Sequence, residues 1–166
     1  MLQRLLATRN DWTLLIMRLA VGIMILPHGM QKTLGWFGGN GFDGQLAYWA
    51  TKYGLPTALS VLAIVAETAG GLGLILGCLT RIAAFGVFCN MLVAIFMVAG
   101  KFGFFMNWSG KQGGEGYEMH ILALGLLIPI MARGAGALSV DRLLASAQST
   151  MGSADSSHKM ATPIRG

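Results

Sequence analysis

Apolar positions along the chain gather into four long blocks, separated by joints rich in glycine or basic residues. The first runs from Trp12 to Leu34 and is long enough to cross a bilayer as one helix. Pro56 to Cys78, Ile82 to Gly100, and Glu118 to Ala132 follow. The last is short for an apolar thickness of ~30 Å, but Tyr117 and Arg133 can anchor its ends at the interfaces. In the first long joint, Phe42, Leu46, Trp49 and Tyr53 recur at steps of three and four with polar residues between them. That spacing predicts a short amphipathic helix in the first outer loop, either an aromatic belt at the interface or a lid over the polar face of the first helix. The fold class is therefore all-α: a membrane four-helix bundle with a short interfacial helix. The joint around Arg81 is only a few residues long, so the second and third spans should be antiparallel neighbours. Residues 1–11 form a cytoplasmic lead-in, with Asn10 or Asp11 able to cap the first helix. Residues 12–142 form the transmembrane domain, and the polar, small-residue-rich stretch 143–166 is expected to be a disordered cytoplasmic tail.

Composition supports one membrane domain: of 166 residues, 54% are hydrophobic and 11% charged. Arg4, Arg9, Arg81, Arg133, Arg142, Lys159 and Arg165 fall at one set of helix ends, and Lys32, Lys52, Lys101 and Lys111 at the other. The bias predicts a multi-pass protein of the inner (plasma) membrane with both termini cytoplasmic. The net charge of +5 then reports topology and contact with anionic lipid head groups, and no nucleic-acid motif stands against that reading. A cleaved signal peptide is not expected, because the first apolar run is too long, contains Arg18 and lacks a small-residue cleavage site. Cys78 and Cys89 form no C-x-x-C pair and have no histidine at zinc-site spacing, so they read as buried, inert thiols and no metal site is assigned.

Polar residues inside the apolar blocks carry the candidate chemistry. Arg18, Gly22, Ile25, His28 and Lys32 share one stripe of the first helix, and Pro27 frees the carbonyl of Ile23 beside His28. Glu67 sits among small residues of the second span, and Asn90 shares a face with Ala83, Gly86 and Ala94. On the fourth, Glu118, Leu122, Gly125, Pro129 and Ala132 read as the inward stripe. His120, Leu124, Leu127 and Met131 read as a lipid-facing row. Ionisable groups at such depth need partners, so Arg18 is expected to pair with Glu67, and Lys32 with Glu118. The bland reading is that these pairs fix helix register. In the functional reading Arg18 clamps an anion or carbonyl head group, Glu67 transfers protons, and His28 binds a ligand instead of capping the Ile23 carbonyl. Two histidines on different helices could hold a haem, but the facing of His120 weighs against it.

The segments RLAVGIMILPHGMQKTLGWFGGNG, LAIVAETAGGLGLILGCLTRIAA and GYEMHILAL resemble the DoxX family of small bacterial and archaeal membrane proteins, in order and over about the first 140 residues. The family's motifs fall on His28, Gly29 and Lys32, on Glu67, Gly70 and Gly71, and on Gly116, Tyr117 and Glu118. The resemblance implies a link to membrane redox systems: a quinol oxidase, oxidation of sulfur compounds with quinone as acceptor, or association with redox-defence proteins. It supplies no agreed catalytic residues, and fold analogy alone does not deliver function. Two hypotheses follow. One is a quinone-interacting subunit, with Arg18, His28, Lys32, Glu67, Asn90 and Glu118 as the ligand-binding set and quinone as the candidate cofactor. The sequence has no flavin fingerprint or iron–sulfur motif, so a redox partner protein or a directly reacting substrate would supply the electrons. The other is a non-catalytic scaffold or a small-solute binder or transporter using the same polar stripe. Membrane lipid is a partner in both, and self-association is left open.

Overall fold

The computed structural model describes residues 5–147, so the expected disorder of the tail beyond 147 lies outside the described residues. Every regular element among these residues is helical. In chain order the α-helices are α1 (Trp12–Thr33), α2 (Gly41–Tyr53), α3 (Thr57–Leu76), α4 (Thr80–Ala94) and α5 (Glu118–Arg133), with a 3-10 turn, Trp36–Gly38, between α1 and α2. α4 continues through a π-helical turn, Ile95–Ala99, and a 3-10 turn, Gly100–Phe102. Three helical runs are long and apolar enough to cross a membrane: Trp12–Thr33, Thr57–Leu76 and Thr80–Phe102. At ~1.5 Å per residue, the 16 residues of α5 reach about 24 Å, short of the ~30 Å apolar thickness.

α1 and α4 each pack against both α3 and α5, which closes a ring around a core of Val21, Ile25, Leu74, Val87, Leu127 and Ile130. Lipid tails are as apolar as leucine, so close backbone approach has to hold these helices together. α1 and α3 achieve it through glycine. A Cβ on Gly29 would stand 2.7 Å from the Thr68 backbone, and one on Gly22 3.0 Å from the Gly71 carbonyl oxygen. The expected facing of α5 is reversed. Leu124, Leu127 and Ile130 are buried, whereas Leu122 and Gly125 are exposed, and a Cβ on Gly125 would meet nothing within 4 Å. Leu124, Leu127 and Ile130 fill the ring from this helix together with Ala123, while Gly125 faces outward.

The end of the ring where α1 begins is closed by polar contacts. Asp11, one of the two expected caps, accepts from the amides of Thr13 (2.8 Å) and Leu14 (3.3 Å). Before it, Leu6 is buried, and Thr8 Oγ1 accepts from the Gly136 amide at 2.7 Å. The start of the described chain and the segment after α5 therefore meet at one end.

Arg18 anchors that junction. Its side chain is fully buried, and its Nε donates to Ala135 O (2.9 Å). Nη1 donates to Leu74 O (2.8 Å) and Ile75 O, and Nη2 to Ala137 O (3.0 Å) and Leu138 O (2.6 Å). A guanidinium has five N–H donors, and here all five are engaged. The expected Arg18–Glu67 pair is thus absent among the described contacts. Carbonyls compensate the buried charge instead, two of them from the last turn of α3, where a helix leaves its C=O groups without intrahelical donors. Nearby, the buried carboxylate of Asp141 accepts from the amides of Leu79 (2.7 Å) and Thr80 (2.9 Å), capping the start of α4. The thiols also differ from expectation: Cys89 is exposed on the outer face of α4, and Cys78 is only half-buried.

Candidate functional site

Toward the opposite end the ring opens into a cavity of about 630 Å³, walled by α1, α3, α4 and α5 and roofed by α2 and the 103–117 loop. Its polar floor is a three-residue cluster. Lys32 Nζ forms an ion pair with Glu67 Oε2, and Asn90 Nδ2 donates to Glu67 Oε1 at 2.8 Å. The Lys32 and Glu67 side chains are 16% and 8% exposed, so this charge pair is held largely away from solvent by three helices at once. Glu67 has both oxygens engaged, whereas the ammonium of Lys32 also lies 5.8 Å from the ring centroid of Trp49 in α2. A cation at that distance is attracted by the ring face, which ties the roof to the floor.

α2 forms the roof through Tyr48, Trp49, Lys52 and Tyr53. The lid reading of this helix is the one its position matches. Lys52 Nζ donates to the Tyr48 hydroxyl, and this contact holds the Tyr48 pKa below its ordinary value and that of Lys52 above it. Lys52 also lies over the rings of Tyr48 (4.9 Å) and Tyr53 (5.7 Å), and Lys101 over those of Tyr53 (5.8 Å) and Phe102 (5.0 Å). This chain of cations and rings links α2 to the end of the α4 run.

The π-helical turn shapes the α4 wall. Gly100 donates its amide to Ile95 O, the i→i+5 bond of a π turn, and a Cβ on Gly100 would stand 2.7 Å from that oxygen. The turn brings Met97, Val98 and Ala99 to the cavity and delivers Lys101 and Phe102 to its mouth. Single π turns within helices recur at functional sites because they re-aim side chains without breaking the helix.

Of the residues singled out from sequence, His28, Lys32, Glu67 and Asn90 line the cavity. Arg18 does not, and its filled donor set leaves nothing for a ligand. Glu118 also lies off the cavity. It accepts from Trp108 Nε1 (3.3 Å) and is not the partner of Lys32, which has taken Glu67 instead. His120, assigned from sequence to the lipid face, lines the cavity beside Met119, and its Nδ1 is buried without a hydrogen bond. His28 faces the same space, and no hydrogen bond joins its ring to the Ile23 carbonyl. Lys52, Lys101 and Glu115 at the mouth were not singled out. Their signal in the sequence was only their position just beyond an apolar block or beside glycines.

The cavity therefore combines proton-bearing groups (two imidazoles, the Lys32 ammonium, the Glu67 carboxylate) with aromatic and methionine walls. Its volume falls within the ~300–1,000 Å³ of ordinary small-molecule sites. Among the described residues, no group of three or more His, Cys, Asp or Glu side chains converges as a metal site would.

A family model, DoxX, matches residues 13–100, more than half of the chain, and takes in α1, α2, α3 and nearly the whole α4 run. No curated protein and no solved structure matches the chain. The chain belongs to the DoxX family, and with its three apolar helices it is a membrane protein.

Proposed function

We propose that this DoxX protein binds a quinone in the cavity and serves as the quinone-interacting subunit of a membrane redox system. The observation that carries the reading is a buried polar floor beneath a cavity whose α4 wall is open. Val93 and Met97 line the cavity, yet remain 46% and 36% exposed. Both lie within the candidate span Thr80–Phe102, so in a bilayer this opening faces acyl chains. A lipid-soluble molecule with a polar head can enter there, leave its tail between Val93 and Met97, and bring its head to the floor. The residues suit a quinone head. Lys32, already tied to Glu67, offers an ammonium donor to a carbonyl oxygen, and Trp49 and the tyrosines of α2 offer flat faces. His28 and His120 are placed to hold or release protons when the ring changes oxidation state. Electrons come from a partner protein or a directly reacting substrate.

In this reading α5 completes a four-helix transmembrane bundle, with the aromatic Tyr117 and the basic Arg133 at its two ends. Residues 12–142 are the membrane domain and 143–166 a cytoplasmic tail. The contacts of Thr8 and Asn10 with Gly136 and Arg142 support an even number of crossings. The arginines at that end support placing both termini on the cytoplasmic side of the inner membrane.

The test is organic extraction of the purified protein with identification of what is released. Quinone at near one molecule per chain is expected, together with its loss from Lys32→Ala and Glu67→Gln variants that keep their helical content. A preparation free of quinone that also fails to bind added quinone overturns the reading. A water-soluble solute retained in its place favours the small-solute alternative.

A further inference from the structure

We propose that the same cavity holds a soft monovalent metal ion, of which Cu(I) is the type, between His28 and His120 with methionine thioether sulfurs completing its ligands. The argument begins with donors that nothing else uses. The Nδ1 atom of His120 is buried and without a hydrogen bond, which is costly for an imidazole unless something occupies the space before it. The ring of His28 lines the same cavity. Met24 lies one turn before His28 on α1, and Met119 is adjacent to His120 on α5. Met91, Met97 and Met106 also line the cavity, so five of the chain's 11 methionines face it. Methionine is also the residue that fills irregular apolar gaps, and a wall of thioethers alone would need no ion. The unsatisfied imidazole distinguishes the two cases.

The donor set selects the metal. The carboxylate of Glu67 is committed to Lys32 and Asn90, and Glu115 accepts from the Asn107 amide at 2.7 Å. Neither Cys78 nor Cys89 lines the cavity. What remains is two imidazole nitrogens and several thioether sulfurs, a soft set that suits Cu(I) and serves Zn(II), Mg(II) or Ca(II) poorly. Three ammonium groups, from Lys32, Lys52 and Lys101, also line the space, and they disfavour a doubly charged ion more than a singly charged one. The proposal stands whether or not a quinone binds.

The experiment uses the full chain in detergent, titrated anaerobically with Cu(I) in competition with a chromophoric chelator. The expected result is one Cu(I) held per chain, with nitrogen and sulfur neighbours in the X-ray absorption spectrum, and no comparable retention of Zn(II). His28→Ala and His120→Ala should each abolish retention, and Met24→Leu with Met119→Leu should weaken it. Helical content and monodispersity are checked for each variant, with His28→Asn and His120→Gln standing in where alanine perturbs folding. Failure of the wild type to retain Cu(I), retention unchanged in both histidine variants, or equal retention of Zn(II) overturns the proposal. So does a haem absorption band that appears on adding haem and vanishes in both variants, since the histidines would then be axial ligands. Quinone content measured on the same samples separates this outcome from that of the quinone reading.

Discussion

Arg18→Met tests the largest polar commitment in the fold. Methionine keeps much of the side-chain volume and removes the guanidinium, which strands the carbonyls of Leu74, Ile75, Ala135, Ala137 and Leu138 without their donor. A buried polar group left unpaired costs about 1–3 kcal/mol. The five are not independent, because the 135–138 segment can shift and readmit water. Breaking a buried charged contact by removing one partner typically costs about 3–5 kcal/mol, and that is the expected loss here. Arg18→Lys should recover only part of it, because an ammonium has three donors and no planar fork to reach carbonyls on two sides. The assay is reversible unfolding in mixed detergent micelles with helical circular dichroism as the readout. A loss below about 1 kcal/mol for Arg18→Met, the scale of an ordinary substitution, would refute the carbonyl cage as a stabilising element. A second arm separates this picture from an Arg18–Glu67 pair. Combining Arg18→Met with Glu67→Gln should give additive losses within about 0.5 kcal/mol, as distant sites do, and a larger coupling would place the two side chains in contact.

Lys32→Met should cost about 3 kcal/mol by leaving the Glu67 carboxylate with Asn90 alone, and combining it with Glu67→Gln should cost less than the sum of the two. Strict additivity of this pair in the same unfolding assay would contradict the ion pair. Gly29→Ala drives a methyl group into the Thr68 backbone and should lower stability by about 1–3 kcal/mol, whereas Gly125→Ala, with open space around it, should be neutral or gain up to about 1 kcal/mol. Equal losses at the two glycines would mean that α5 is not turned as described. In a background lacking the native cysteines, Trp36→Cys, at an exposed position near Gly39, and Gly113→Cys should react with an impermeant maleimide in intact cells, and Ser153→Cys only after permeabilisation; labelling of Ser153→Cys from outside reverses the topology.

The apolar blocks of the sequence located the helices because the pattern that marks a span is local. The helical pattern from Phe42, one residue after the start of α2, and a cap at Asn10 or Asp11 are legible for the same reason. Which face of a helix turns inward was not legible for α5. Lipid and protein interior are both apolar, so periodicity cannot tell them apart, and small residues are the remaining guide. That guide holds for α3, where a Cβ on Gly71 would stand 3.1 Å from the Leu26 backbone, and fails for Gly125, which meets nothing within 4 Å. Arg18 was misread for a different reason. An intramembrane charge suggests an opposite charge as its partner, yet the compensating groups are backbone carbonyls of Leu74, Ile75, Ala135, Ala137 and Leu138, which carry no signature in the sequence. His120 then followed from the face error, since assigning its row to lipid removed it from the site.

The two polar commitments of α1 explain why the cavity sits where it does. Arg18 fastens one end of α1 to the last turn of α3, and Lys32 fastens the other end to Glu67 in the middle of α3. Between them Gly22 and Gly29 bring the two backbones into contact, so α1 and α3 form a strut with little freedom to separate. The opposite wall is built differently: a π-helical turn with a glycine at its end, a short roof helix with only Gln45 buried, and a glycine-rich loop. Elements with few buried contacts open at lower free energy than the core to which they attach. Under the proposed function a ligand would meet fixed hydrogen-bonding groups on one side and yielding walls on the other. In that reading Lys32, tied to Glu67, would hold a polar head in one orientation, while α2 and the α4 turn adjust to the rest of the molecule. Entry from the membrane requires only the second wall to move, and that is the wall on which Val93 and Met97 stand exposed.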